Sequence, residues 1–163
     1  MAETTQYVTV GIGQERFAVP VSRVREILDV CPIAALPHAP PDLLGIIDVR
    51  GQGVPVVDMR LRMGFPAAAD TRDTRIVVLT VTGGQERVIG LKADKVFEVT
   101  ALDSEDLDPA PDVGVRWRSE LIAGVGRRKG AFVTVLDLNR MFASDKVPAD
   151  PASIKSPPPF VAA

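Results

Sequence analysis

Apolar residues in this chain fall in short runs that alternate with polar positions or are cut off by glycine and proline. Residues 7–12 (YVTVGI) alternate and predict a strand, Gly13-Gln14 a turn, and Arg16 to Val21 a second strand whose end is limited by Pro20. Ser22 is placed to cap a short helix from Arg23 to Leu28, with Val24, Ile27 and Leu28 on its apolar face and Arg25 and Glu26 turned elsewhere. A short strand near Cys31 to Leu36 and a proline-rich loop, 36–41, come next. Residues 65–73 form a polar, alanine-rich connection. Ile76 to Val81 is a β-branched strand that turns at Gly83-Gly84 and returns over Val88 to Leu91, followed by the apolar-polar run 94–99. An acidic, proline-bearing loop spans 102–120 and carries the only tryptophan, Trp117. Leu121 to Val125 and Ala131 to Leu136 pair around 126–130, and Asp137 opens a last helical turn with Leu138, Met141 and Phe142. From Val147 the chain is rich in Pro, Ala and Ser, which predicts a disordered tail over 146–163.

The stretch that organises the rest is 45–64 (GIIDVRGQGVPVVDMRLRMG). Two apolar runs, 46–49 and 54–57, flank Arg50-Gly51-Gln52-Gly53, a tight β-hairpin. Val54 and Val56 can face a core while Pro55 points away, and the missing Pro55 donor predicts an edge strand or a bulge. Asp58 caps a turn over Met59 to Met63, which Gly64 ends. Arg50 stands beside the loop, where it is either a solvated arginine or a recognition group whose five donors suit carboxylates and carbonyls.

The second half repeats the first. Thr9-Val10 and Gln14-Glu15-Arg16 recur as Thr80-Val81 and Gln85-Glu86-Arg87, and Val24 and Glu26 as Val96 and Glu98. Gly45, Gly51, Val54, Val56 and Asp58 recur as Gly124, Gly130, Val133, Val135 and Asp137. The repeats cover about 6–64 and 75–143, each with about five short strands. Such strands suit small barrels, whose closure removes exposed edges. Lobes this small are marginal alone, so a shared core is expected, with exchange of strands between lobes left open. A groove between two pseudo-symmetric lobes is a natural partner site.

Composition narrows the function. The 163 residues are 46% hydrophobic and 25% charged, with net charge −2 and pI about 5.4. That is ordinary for a globular chain and gives no basic footprint for nucleic acid. No apolar run nears the ~18 residues of a membrane span, and 1–6 (MAETTQ) does not read as a signal peptide. One cysteine, Cys31, allows no internal disulfide and suits a reducing cytosol. The only histidine, His38, sits in the proline-rich loop, so neither a metal cluster nor a Cys/His nucleophile is expected. No dinucleotide or phosphate-binding fingerprint is present. Catalytic, cofactor-binding and metal residues are all expected to be none.

At this point the residues resemble CheW, the coupling-protein family of bacterial chemotaxis arrays. The resemblance spans roughly 6–143 and makes 1–145 one CheW-like domain. It rests on 17–20 with 24–27, 36–37 with 39–40, Gly45 to Gly51, Val54 to Arg60, and 121–126 with 136–138. The hairpin is similar to the family pattern G-x-x-N-L-R-G-x-x-x-P-V-x-D-L-R. The resemblance implies an all-β fold, mainly strands with short helices, in two SH3-like five-stranded β-barrels with a groove between the lobes. It also implies a non-catalytic, cytoplasmic scaffold without cofactor. Its partners would be the regulatory domain of a CheA-type histidine kinase, the cytoplasmic tip of a methyl-accepting chemoreceptor and, in some assemblies, other CheW-like domains. Membrane contact would run through these partners. The positions matching the receptor-binding surface are Val24, Glu26, Ile27, Ile47 and Arg50. The kinase-facing surfaces are expected at the barrel ends, with no residues assigned. Asp48 and Val49 depart from the pattern's Asn and Leu, and a carboxylate beside Arg50 is placed for a local pair that alters partner choice.

Two other readings are set against this one. A small enzyme could use Asp48 or Asp58, but Asp58 is better explained as a helix cap. The same scaffold could also serve a pilus, developmental or second-messenger pathway, or act as an array linker.

Overall fold

The computed structural model describes residues 4–111, 113–114 and 119–143. Trp117 and the tail over 146–163 lie outside the described residues. Ten strands form two five-stranded sheets. The strands are β1 (Tyr7–Ile12), β2 (Glu15–Pro20), β3 (Val24–Asp29), β4 (Leu43–Val49), β5 (Gln52–Asp58), β6 (Arg75–Val81), β7 (Arg87–Ala93), β8 (Lys95–Thr100), β9 (Ile122–Arg128) and β10 (Ala131–Leu136). One-turn helices α1 (Met59–Arg62) and α2 (Leu138–Met141) follow β5 and β10, each capped by the expected aspartate. The Arg60 amide donates to Asp58 Oδ1 at 2.9 Å and the Arg140 amide to Asp137 Oδ1 at 3.1 Å.

The all-β, two-barrel architecture is present, and strand exchange builds it. The sheet orders are β8-β1-β2-β10-β9 and β3-β6-β7-β5-β4. Exchanging β1–β5 for β6–β10 converts one order into the other. Each barrel therefore takes its first hairpin from one half of the chain and its last three strands from the other. The graft is parallel in both barrels, through Val56↔Gly90 and Val57↔Leu91 in one and Thr134↔Phe17 and Val135↔Ala18 in the other. All other strand pairs are antiparallel.

The largest core lies between the barrels. Val8, Val10, Ile12 and Val19 of one sheet pack with Val77, Leu79, Val81 and Leu91 of the other, joined by Met59 of α1 and Leu138 and Met141 of α2. The barrel interiors are smaller. Ile47, Val54, Val56, Ile76 and Val78 fill one, while Ala18, Leu102, Val133 and Val135 fill the other. Barrels this short enclose few side chains, so most apolar burial comes from joining them.

Three local expectations change. Residues 23–28 are not a helix: a 3-10 turn over Val21–Arg23 leads into β3. Pro20, not Ser22, precedes that turn, and no side chain caps it. Val24, Ile27 and Leu28 share a face only at helical spacing; in β3 Val24 and Leu28 turn inward and Ile27 outward, and pairing with the buried Ile76, Val77 and Val78 of β6 overrides the helical pattern. The strand expected near 31–36 is a single bridge between Ala34 and Ile46. Finally, β5 is an interior strand and not an edge despite Pro55, and the irregularity in its pairing with β4 falls between Leu43 and Gly45 rather than at Pro55 itself. Ile46 spends both backbone groups on Ala34, each bond 2.9 Å, so its pair with Pro55 is a non-hydrogen-bonded one. The Pro55 nitrogen then faces β7 outside the parallel ladder, which begins at Val56, so no ladder bond is lost. The Ala34 bridge needs Gly45, where a Cβ would lie 2.1 Å from the Ala34 oxygen at φ +147°.

Candidate functional site

The hairpin β4–β5 turns through Arg50 and Gly51, both left-handed, at φ 51° and 84°. This is the primed turn that matches strand twist. Gly51 adopts it freely, whereas Arg50 is held there at a cost in backbone strain. The Gly51 amide donates to Asp48 Oδ1 at 2.7 Å, which fixes the turn. Asp48 thus does not form the expected local pair with Arg50, because its carboxylate is engaged with the turn amide.

Arg50 instead reaches Glu26 on β3. Nη1 donates to Oε1 at 3.1 Å, and Nη2 donates to Oε2. This is the bidentate fork that a guanidinium makes with a carboxylate. The strands β3 and β4 are the two outermost of their sheet, so the pair ties its open ends together. The hydrogen bond from Arg50, then its charge and that of Arg25, hold the Glu26 carboxyl below its ordinary pKa against a weaker opposing effect of desolvation. The same hydrogen bond and the Glu26 charge raise Arg50. Both groups are ionised at neutral pH, and the Arg50 side chain remains 74% exposed.

Around this pair the five sequence-derived positions divide. Ile27 is 40% exposed and stands at the surface of β3. Val24, on the same strand, is half-buried against the inter-barrel core. Ile47 is 3% exposed and belongs to a barrel interior, where it also floors an open groove of about 500 Å³. Its neighbour Ile46 is the exposed member of that hairpin edge. The geometry therefore brings Glu26 and Arg50 together on the surface, with Ile27 exposed on the same strand as Glu26. It assigns Val24 and Ile47 to the packing beneath.

Sequence reasoning missed a second such device. Glu98 on β8 pairs with Arg128 on β9 at 3.3 Å, across the outermost strands of the other barrel. Val99, the counterpart of Ile27 in the repeat, is exposed beside it. The signal was the recurrence of Glu26 as Glu98. The arginine is displaced by one residue from the repeat position of Arg50, so identity alone does not reveal it. Two exposed phenylalanines were also overlooked: Phe97, with the Arg16 guanidinium 4.2 Å from its ring centre, and Phe132, with Arg127 at 4.2 Å. Among the described residues no helix is long and apolar enough to cross a membrane.

Comparison with known proteins gives one family. The CheW-like domain family matches residues 6–146. The chemotaxis protein CheW of Rhizobium meliloti is 33% identical over 135 residues, covering 83% of this chain and 85% of that protein. CheW of Helicobacter pylori is 27% identical over 143 residues, covering 88% and 84%. The crystal structure of the scaffolding protein TtCheW from Thermoanaerobacter tengcongensis superposes with a TM-score of 0.77 over 89% of this chain and 92% of that one, at 23% identity.

Proposed function

The chain belongs to the CheW-like domain family, and from that premise we propose that it is a non-catalytic adaptor in chemotaxis. It would couple chemoreceptor cytoplasmic tips to a CheA-type histidine kinase, and reside in the cytoplasm at membrane receptor arrays through those partners. The observation that carries the receptor half is the Glu26–Arg50 fork beside the exposed Ile27. A transient signalling surface needs an apolar anchor and a polar group that selects the partner. Ile27 supplies the first. The fork supplies the second, because its arginine is already aimed and retains donors for a partner's carboxylate or carbonyl. Val24 and Ile47 set the level of this surface from below. The kinase half is placed on the barrel ends.

The test mixes the purified chain with a CheA-type kinase and membranes bearing its receptor, sediments the membranes, and reads kinase recruitment and autophosphorylation. Kinase is expected to sediment and be activated only with this chain present. Arg50→Ala is expected to weaken receptor binding at least tenfold with folding intact, as far-UV circular dichroism reads it. Unchanged receptor affinity in a folded variant would remove Arg50 from the site. Recruitment without this chain would remove the adaptor role.

A further inference from the structure

The duplication places α1 and α2 at equivalent joints between the barrels, and the chain leaves both in the same way. The Met63 and Gly64 amides donate to the Met59 and Leu61 carbonyls at 2.9 and 3.1 Å, and the Phe142 and Ala143 amides donate to the Leu138 and Arg140 carbonyls at 3.0 and 3.3 Å. Gly64 and Ala143 are therefore counterparts, as Asp58 and Asp137 are.

After Gly64 the connection folds back over its joint as a strap. The Phe65 amide donates to the Arg60 carbonyl at 2.7 Å, and the Phe65 ring packs on the inter-barrel core, edge-on to Phe17 at 6.3 Å between centroids. The Pro66 carbonyl accepts from Arg60 Nη1 at 3.0 Å, and Asp70 pairs with Lys92. Residues 68–70 close over Asp58, Arg60 and Lys92 and leave a cavity of only about 10 Å³.

At the other joint the same two places are open among the described residues. The parallel pairs Val56↔Gly90 and Val135↔Ala18 make Ile89 the counterpart of Phe17, and Pro20 that of Lys92. Ile89, with Leu43, Val57, Phe142 and Ala143, lines a cavity of about 220 Å³. Pro20, Asp137 and Asn139, the counterparts of Lys92, Asp58 and Arg60, line a second of about 230 Å³ together with Arg23. Arg23 donates to Thr82 Oγ1 at 2.6 Å and makes no ion pair among the described residues, so its guanidinium keeps donors to spare. The chain beyond Ala143 supplies a matching segment. Residues 147–152 read Val-Pro-Ala-Asp-Pro-Ala, against Phe-Pro-Ala-Ala-Ala-Asp over 65–70. An apolar residue, a proline and an alanine recur in order, and each segment carries one aspartate.

We infer that 147–152 is a second strap, docked on the α2 joint as 65–70 is on the α1 joint. Val147 fills the cavity beside Ile89, 148–152 run over Asp137 and Asn139, and the Asp150 carboxylate faces Arg23. The occupant is this chain's own segment because only 144–146 separate it from Ala143, which lines the first cavity. Such a tether gives an effective concentration on the order of millimolar, so weak contacts suffice for docking. The composition that keeps this stretch from folding alone is no obstacle, since the site it enters is already built. The contact uses neither the Glu26–Arg50 fork nor Ile27, so it stands or falls independently of receptor binding.

The test is nuclear magnetic resonance of the full chain. Backbone order parameters over 147–152 are expected to match those of 65–70, near the rigid value of about 0.85 and not in the flexible range below about 0.6. A nitroxide on Ser153→Cys, in a Cys31→Ser background checked by thermal melting, is expected to broaden the Arg23 and Asn139 amides. Val147→Ser removes the anchor of the first cavity, and Ala123→Trp fills the second from an exposed position on its lining. Each is expected to return 147–152 to the flexible range. A mixture of isotope-labelled chain without nitroxide and nitroxide-bearing chain without isotope reads contacts between copies, and no broadening is expected there. Flexible 147–152 in the wild-type chain overturns the inference, as does an ordered segment that leaves Asn139 unbroadened or survives both substitutions. Broadening in the mixed sample also overturns it, by making the occupant a second copy.

Discussion

Two non-glycine residues hold equivalent left-handed turns, Arg50 and Lys129, and their surroundings differ in a way that separates stability from function. Lys129 makes no ion pair among the described residues. Its amide donates to Asp103 Oδ1 at 2.9 Å, and the Gly130 amide to Oδ2 at 2.9 Å, so the turn is held from the backbone. Those two bonds also hold the Asp103 carboxyl below its ordinary pKa. A glycine would keep both bonds and shed the Cβ strain. Lys129→Gly is therefore expected to stabilise by about 1 kcal/mol, seen as a rise in Tm of about 2–4 °C. Arg50→Gly relieves the same strain but removes the fork to Glu26. It is expected to leave Tm unchanged or slightly raised while receptor binding falls as in Arg50→Ala. A strained residue whose replacement costs the fold nothing and the interface much is one retained for its side chain. Arg50 was legible in the sequence because the hairpin glycines located it. Its partner Glu26 was legible only as a nearby candidate, since nothing in spacing reveals that β3 and β4 meet at their open ends.

At the scale of elements, the joint between the barrels rests on Arg60 of α1 and Asp94 between β7 and β8. Arg60 Nε and Nη2 donate to the two Asp94 oxygens at 2.8 and 2.7 Å, and the Gly13 amide of the β1–β2 turn donates to Oδ2 at 2.7 Å. Three elements from both barrels thus converge on one half-buried carboxylate. The Arg60 hydrogen bond, outweighing desolvation and aided by the Gly13 amide, holds Asp94 below its ordinary pKa of 3.8. A depressed folded pKa means the unfolded chain binds the proton more readily. The contribution is fully present above the unfolded value and lost as pH falls through the folded one. Asp94→Asn is expected to cost about 1–2 kcal/mol at pH 7. The gap between variant and wild type should close as the pH of denaturant titrations drops below 4. A gap that is constant with pH would mean the loss is packing, not charge. The caps at Asp58 and Asp137 were readable because a cap is local. This joint was not, since its members come from three separated segments and none carries a motif. The helix expected over 23–28 failed for the same reason in reverse: a local helical spacing was overridden by pairing with a distant strand, β6.

For the whole molecule, the repeat was visible in the order of shared residues, and the small β-barrels followed from strand length and turn density. The exchange was not visible, because identical repeats pair equally well within one lobe or across two. What decides it is geometric. Each half gives the opening hairpin to one barrel and β3–β5, or β8–β10, to the other, with the larger core between. Neither half then contains a complete barrel. A fragment ending in the exposed connection 65–73 keeps β1–β2 and β3–β5, but β1–β2 lacks β8 and β10, and β3 and β5 lack β6 and β7. Fragments 1–70 and 71–163 are therefore each expected to be unfolded alone, with random-coil circular dichroism. Mixed at equal concentration, they should regain the β signal and co-elute as one species, since the missing connection is exposed and its closure entropy is small beside the buried core. If either fragment folds by itself, the barrels are self-sufficient and the exchange is only a path of the chain. If only the mixture folds, the two barrels form one cooperative unit. Any partner that loads one barrel then acts on strands whose continuation lies in the other.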